Sequence, residues 1–171
     1  MIRYRYRFLI LMAVILSMLF VGCGKNSGDK LVGGADSKCT SDNVAIQKLE
    51  AGFREELGKS SELIPVTDAV IEQATYIPFS LACMQVEEGF LNGFDSEILG
   101  FKTGVCFGPV IGTMPFVGYI FETDDPAALV NTLEKNANLR WNICTEADEM
   151  HSEILDDSHV FFIMCQKEFE E

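Results

Sequence analysis

The fold is decided by residues 97–123, which read EILGFKTGVCFGPVIGTMPFVGYIFET. This run is dense in Phe, Val, Ile, Gly and Tyr, a composition typical of β-strands. It predicts two strands, at about 98–108 and 116–122, joined by a loop over residues 109–115. Residues 84–92 form a further expected strand. Several glycines within these strands indicate bulges or close backbone approaches: Gly100, Gly104, Gly108 and Gly118.

A helix is predicted directly after these strands. Asp124 and Asp125 supply capping side chains, and Pro126 occupies the first helical position. The expected buried face then repeats at helical spacing in Val130, Leu133, Ala137 and Trp141.

A β-hairpin is predicted near the C-terminus. The runs MHSEIL (150–155) and HVFFIMC (159–165) flank a polar turn at residues 156–158. His151 and His159 share one face of this hairpin only if its loop has three residues.

The first helix is expected near residue 40. Thr40 or Ser41 is the predicted cap, and Gly58 is the predicted stop. The buried face is formed by Ile46, Leu49, Phe53 and Leu57. Part of residues 60–85 is either a short helix or an edge strand, and we favour a helix.

These elements predict a single small α+β domain, with an antiparallel sheet and helices packed on one face. Apolar residues make up 48% of the 171 residues, including 13 Phe, which is enough to bury a core. Thirteen basic residues against 26 acidic ones give a net charge of -13. We therefore expect no nucleic-acid binding, because phosphate contacts need clustered positive charge.

The N-terminus has the pattern of an export signal. Arg3, Arg5 and Arg7 precede an apolar run, Phe8 to Val21, that is broken only by Ser17. As a helix this run would extend about 21 Å, short of the ~30 Å hydrocarbon core of a bilayer. It is therefore interpreted as the apolar region of a signal peptide rather than a membrane span.

The run ends LFVGC at residues 19–23, which resembles the lipobox of bacterial lipoproteins. The resemblance implies that residues 1–22 are a lipoprotein signal peptide and that Cys23 is lipidated. The family prefers Leu where this chain has Phe20. Two alternatives remain open, an ordinary secretory signal with an unmodified Cys23 and a retained signal anchor. Two or three acyl chains would anchor the protein stably at the extracytoplasmic face of the cell membrane.

Residues 23–39 are predicted to be the lipidated cysteine and a flexible tether, because they are rich in Gly and lack a periodic apolar face. The globular α+β domain is expected over residues 40–171. Removal of residues 1–22 leaves 10 basic and 26 acidic residues, a net charge of -16. Anionic lipid headgroups would repel such a domain, so the anchor is expected to hold it away from the membrane surface.

The C-terminal half, over about residues 86–165, also resembles a group of small bacterial lipoproteins of unknown function. The matching segments are Gly118–Glu122, Asp124–Pro126, Leu139–Cys144 and Phe161–Met164. This resemblance implies a fold class and a compartment, and it brings no activity with it.

Five cysteines remain besides Cys23, an odd number with irregular spacing: Cys39, Cys83, Cys106, Cys144 and Cys165. They form no C-x-x-C pair, so neither a zinc ribbon nor a redox pair is indicated. Buried free thiols are the favoured interpretation. If a disulfide forms, Cys144 with Cys165 is the first choice, because both are expected near the final sheet.

The acidic stretch from Glu146 to Glu153 is the candidate metal site. Alternate residues of a strand share a face, so at best Glu149, His151 and Glu153 converge on a cation held by oxygen ligands. The stretch lacks the spacing of an EF-hand or of H-E-x-x-H. A solvated acidic edge is therefore the favoured interpretation, and no cofactor is predicted.

No catalytic signature is present, since the chain has two His and no G-x-S-x-G motif. The sequence predicts a non-enzymatic, lipid-anchored protein that binds a ligand or an envelope protein partner, or that serves an envelope assembly as an accessory subunit. The alternative is a small extracytoplasmic enzyme or metal-dependent protein that uses the cluster at residues 146–153.

Overall fold

The structure is a computed structural model, and it describes residues 41–169. The predictions for the signal peptide, Cys23, the tether and Thr40 fall outside the described residues. All helices and strands reported below lie within the segment predicted as the globular domain.

Among the described residues there are three helices and seven strands. The helices are α1 (Val44–Leu57), α2 (Leu63–Gln73) and α3 (Pro126–Asn136). The strands are β1 (Leu81–Val86), β2 (Gly89–Phe90), β3 (Glu97–Ile98), β4 (Thr103–Pro109), β5 (Val117–Glu122), β6 (Glu149–Ile154) and β7 (His159–Cys165).

Five strands form one antiparallel sheet in the order β1-β4-β5-β7-β6. Strands β2 and β3 pair separately as a short ribbon. The single α+β domain with an antiparallel sheet is therefore confirmed, as is the C-terminal hairpin of β6 and β7.

The helices pack on both faces of the sheet. Helices α1 and α2 cover one face, where Ile120 and Phe161 lie in the core with them. Helix α3 covers the opposite face, together with Tyr119 and Phe162. The expectation that all helices share one face is wrong in this respect. The central strands β5 and β7 are buried along nearly their whole length, so both of their faces need an apolar cover.

The helix ends follow from local capping. Asn43, and not Ser41, caps α1, because its side chain accepts hydrogen bonds from the N–H groups of Ala45 and Ile46. Gly58 ends this helix as predicted. The expected cap of α3 is also confirmed, since the Asp125 carboxylate accepts from the N–H of Ala128.

Helix α3 is shorter than the apolar periodicity suggested. It ends at Asn136, where the chain turns to bond with residues 93–95, including a bond from Asp95 N to the carbonyl of Asn136. Trp141 lies beyond the helix but still packs against the same core.

The strands before β5 also begin at other residues than the sequence predicted. Strand β1 begins at Leu81 rather than at residue 84, and the strand expected from residue 98 begins at Thr103. The strand predicted at 98–108 is interrupted at Gly100. This residue has a φ of 91°, and its N–H donates to the Glu88 carboxylate. The predicted close approach is confirmed at Gly118, where an added Cβ would lie 2.1 Å from the Phe107 ring.

Candidate functional site

Helix α1 and strand β6 bring four charged or titratable side chains together beneath the helix. Glu50 and Arg54 lie one turn apart on α1, and His151 and Glu153 lie two residues apart on β6. His151 is paired in register with Ile163, a core residue on the α1 face. The two β6 side chains therefore face the helix. We call these four residues the α1–β6 cluster.

Arg54 links the two carboxylates of the cluster. Its Nε and Nη2 donate to Glu50 Oε1 at 3.1 and 3.0 Å, and Nη2 donates to Glu153 Oε1 at 3.3 Å. The same guanidinium donates to the carbonyl oxygens of Ile154 and Leu155 at the end of β6. Arg54 thus connects α1 to the sheet across about a hundred residues of sequence.

Glu50 has one oxygen that receives no hydrogen bond. The side chain is only 3% exposed, and its Oε2 is buried without a hydrogen-bond partner. This oxygen lies 3.5 Å from His151 Nε2. Burying a carboxylate oxygen in this way costs free energy unless a proton or a cation satisfies it.

Three of these side chains have the composition of a metal site. One ligand atom from each of Glu50, His151 and Glu153 lies within 4.8 Å of the other two. Within residues 41–169 no other group of three such side chains comes this close. With a neutral imidazole, the two carboxylates and the one guanidinium give the cluster a formal charge of -1.

The candidate metal site predicted from the sequence is partly reproduced. His151 and Glu153 come together, but Glu149 does not join them. Its Oε1 instead accepts a hydrogen bond of 2.6 Å from Asn43 Nδ2 at the start of α1. The prediction missed Glu50, although a signal was present. Glu50 lies four residues after Ile46 and three before Phe53, which puts a carboxylate on the apolar face of the helix.

The outer part of the acidic stretch is solvated. The exposed Glu146 pairs with Arg140 at 2.8 Å, and the exposed Asp148 accepts from the N–H of Lys167 at 3.1 Å. These two carboxylates have the environment expected of an acidic edge.

The second histidine belongs to the turn of the hairpin. The N–H of Leu155 donates to the carbonyl of His159 at 2.9 Å, which closes a turn of three residues. His151 and His159 therefore share a face of the hairpin. Their carboxylate partners differ. His159 Nδ1 lies 2.9 Å from Asp156. Burial alone would raise the pKa of Asp156, but hydrogen bonds from Ser158 and His159 outweigh it and lower that pKa.

The described cysteines are all free. Cys165 is completely buried in the core, and Cys144 is exposed, so the pairing of these two is wrong. Burial and a hydrogen bond to Asp68 raise the pKa of the Cys83 thiol to about 12. Burial likewise raises the pKa of Cys106 and of Cys165. These three thiols are therefore protonated and unreactive at neutral pH, while Cys39 lies outside the described residues.

An apolar patch lies at one end of the sheet. Four side chains form it, and each is well exposed: Met84 at 65%, Val110 at 64%, Ile111 at 74% and Ile143 at 100%. They line two adjoining clefts of about 560 and 430 Å³, which share Val110. Met84 belongs to β1, an edge strand of the sheet.

Comparisons with protein-family models, with curated proteins and with solved structures found no match to this chain. Of the helices within residues 41–169, none has the length and apolar character needed to cross a membrane.

Proposed function

We propose that this chain is a lipid-anchored protein of the extracytoplasmic cell envelope, and that its folded domain binds a protein partner without catalysing a reaction. The observation that carries the binding role is the apolar patch formed by Met84, Val110, Ile111 and Ile143. Contiguous exposed apolar surface on an otherwise charged domain is typical of an interaction site.

The charge of the domain favours a protein over the lipid surface as the occupant of this patch. The mature chain would carry a net charge of -16, which anionic headgroups repel. A protein with a complementary basic rim around an apolar contact would be attracted instead. The edge strand β1, which carries Met84, also offers main-chain groups to an added strand.

The anchoring half of the proposal is tested at Cys23. The Cys23→Ala protein is expected to lose labelling by a radioactive fatty acid and either to leave the membrane fraction or to accumulate as a precursor. Normal labelling and processing of this variant would refute the lipidation site.

The binding half is tested with paired surface variants. Ile111→Ser with Ile143→Ser removes apolar area from the patch, whereas Phe90→Ser with Leu99→Ser removes similarly exposed apolar groups elsewhere. After chemical cross-linking in intact cells, we expect the patch variant to lose a cross-linked species that the control variant retains. If both variants keep the same cross-linked species as the unaltered protein, the patch does not bind a partner.

A further inference from the structure

We propose that Glu50, His151 and Glu153 form a binding site for a divalent transition-metal ion, with zinc as the first choice. The site lies beneath α1 and involves none of the residues of the apolar patch. It therefore does not depend on the proposed partner binding.

The spacing of the three side chains fits a bound ion. Ligand atoms at about 2.0–2.2 Å from a tetrahedral ion lie roughly 3.4 Å from each other. Glu50 Oε2 and His151 Nε2 are already 3.5 Å apart. The upper limit of 4.8 Å within the group leaves a small side-chain adjustment for Glu153, which is 17% exposed.

The buried Glu50 oxygen is the independent sign of a ligand. Oε2 belongs to a side chain that is 97% buried, receives no hydrogen bond and faces His151. Native structures leave few such atoms unsatisfied. A cation between this oxygen and the imidazole would satisfy it.

Arg54 would not bind the ion itself but would orient one of its ligands. Two of its nitrogens hold Glu50 Oε1, which fixes the carboxylate so that Oε2 points to His151. Hydrogen bonds that orient a ligating carboxylate in this way are usual around protein-bound metals. The guanidinium also offsets part of the acidic charge, so the proposal does not require a large uncompensated charge in the metal-free protein.

The type of ligand selects the ion. One imidazole nitrogen with two carboxylates suits Zn²⁺, Mn²⁺, Fe²⁺ or Co²⁺ better than Ca²⁺ or Mg²⁺, which prefer oxygen ligands alone. Three protein ligands would leave at least one coordination position open. His151 also lines the wall of a cleft of about 570 Å³, so the imidazole side of the site borders a solvent-filled cleft.

The test uses the full-length chain in mild detergent, with zinc chloride compared against magnesium chloride at equal ionic strength. Zinc is expected to raise the Tm in a saturable manner, by about 5–10 °C at one hundred times the dissociation constant. Glu50→Gln is expected to weaken zinc binding by at least ~10-fold. Cobalt binding, followed by its visible absorption, should show the same loss.

The matched control is Glu149→Gln, which makes the same charge change on the same strand face, where the side chain bonds to Asn43. It should bind zinc nearly as well as the unaltered protein. If Glu50→Gln fails to fold, His151→Gln is measured instead, because that change removes the one nitrogen ligand and leaves both carboxylates and Arg54 in place. A zinc response equal to that of magnesium, or one that survives both ligand substitutions, would show that the α1–β6 cluster is only an ion-pair network.

Discussion

The two faces of the sheet are both buried, but they are built differently. The face under α3 is apolar and aromatic, and the buried hydroxyl of Tyr119 donates to the Asn92 carbonyl at 2.7 Å. The face under α1 and α2 has a similar aromatic core, yet it also holds the buried Glu50 and His151. Of the described residues, these two are the only buried ones that carry a carboxylate or an imidazole.

From this difference we infer that the charges beneath α1 are not needed to build the fold. The α3 face shows that this sheet can be covered by apolar packing alone. Buried ion pairs usually contribute little net stability compared with apolar residues of the same size. We therefore attribute the α1–β6 cluster to a property other than stability, and metal binding is the property that its geometry supports.

The largest expected effect tests whether the two faces contribute equally to stability. Phe161 and Phe162 are neighbours in β7, both fully buried, and they point to opposite faces. Phe161→Ala and Phe162→Ala should each lower the free energy of unfolding by about 3–5 kcal/mol, because each leaves a large cavity. Urea denaturation would measure both. A difference between them of more than ~2 kcal/mol would mean that one face dominates the core.

The next effect tests the role of the cluster in stability. Glu50→Ala should cost about 2–3 kcal/mol in urea denaturation, because it removes the carboxylate that accepts two hydrogen bonds from Arg54. The double variant Glu50→Met with Arg54→Met should recover most of that loss, since it removes the buried carboxylate together with the half-buried guanidinium that pairs with it, and it fills their volume.

The double variant also decides between two explanations of the cluster. If its loss of unfolding free energy equals the sum of the losses of Glu50→Met and Arg54→Met measured singly, the charges are needed for folding. Residues in one network are expected to show strong non-additivity instead.

Much of this architecture could be predicted from local sequence, and the reason is periodicity. The capped start of α3 at Asp125, the face of α1 and the hairpin of β6 with β7 each depend on residues close together in the chain. The helical part of residues 60–85 was also confirmed, as α2. The side of the sheet on which a helix packs is not a local property. Only the unbroken apolar runs of β5 and β7 hinted that both faces are covered.

The site was harder to predict because it is assembled from distant parts of the chain. Glu50 and His151 are about a hundred positions apart, and nothing in the spacing of either residue indicates the other. His151 and Glu153 could be found because they alternate along one strand. Glu149 follows the same alternation, but the start of α1 approaches it, and Asn43 binds its carboxylate.

A smaller effect is expected on the α3 face. Tyr119→Phe removes the hydroxyl that bonds to Asn92, and it leaves the ring stacked on Phe121. The loss should be about 1 kcal/mol of unfolding free energy, the usual value for a single hydrogen bond. This loss is measured by urea denaturation of Tyr119→Phe, run in parallel with Glu50→Ala. A loss as large as that of Glu50→Ala would contradict the view that this face is held by apolar packing.

The smallest effect sharpens the comparison through pH. Asp156 lies in the hairpin turn, where it contacts His159, and its pKa is lowered because hydrogen bonds from Ser158 and His159 outweigh burial. A carboxyl group with a lowered folded-state pKa stabilises the fold above its unfolded value, which is near 3.8, and loses that contribution as the pH falls through the folded value. Because the side chain is 46% exposed, solvent screening keeps the effect small. Asp156→Asn should therefore lower the Tm slightly at pH 6 and should make the decline of Tm below about pH 4 less steep. Melting curves between pH 6 and 3 would measure this. An unchanged acid decline in the variant would show that other carboxylates are responsible for it.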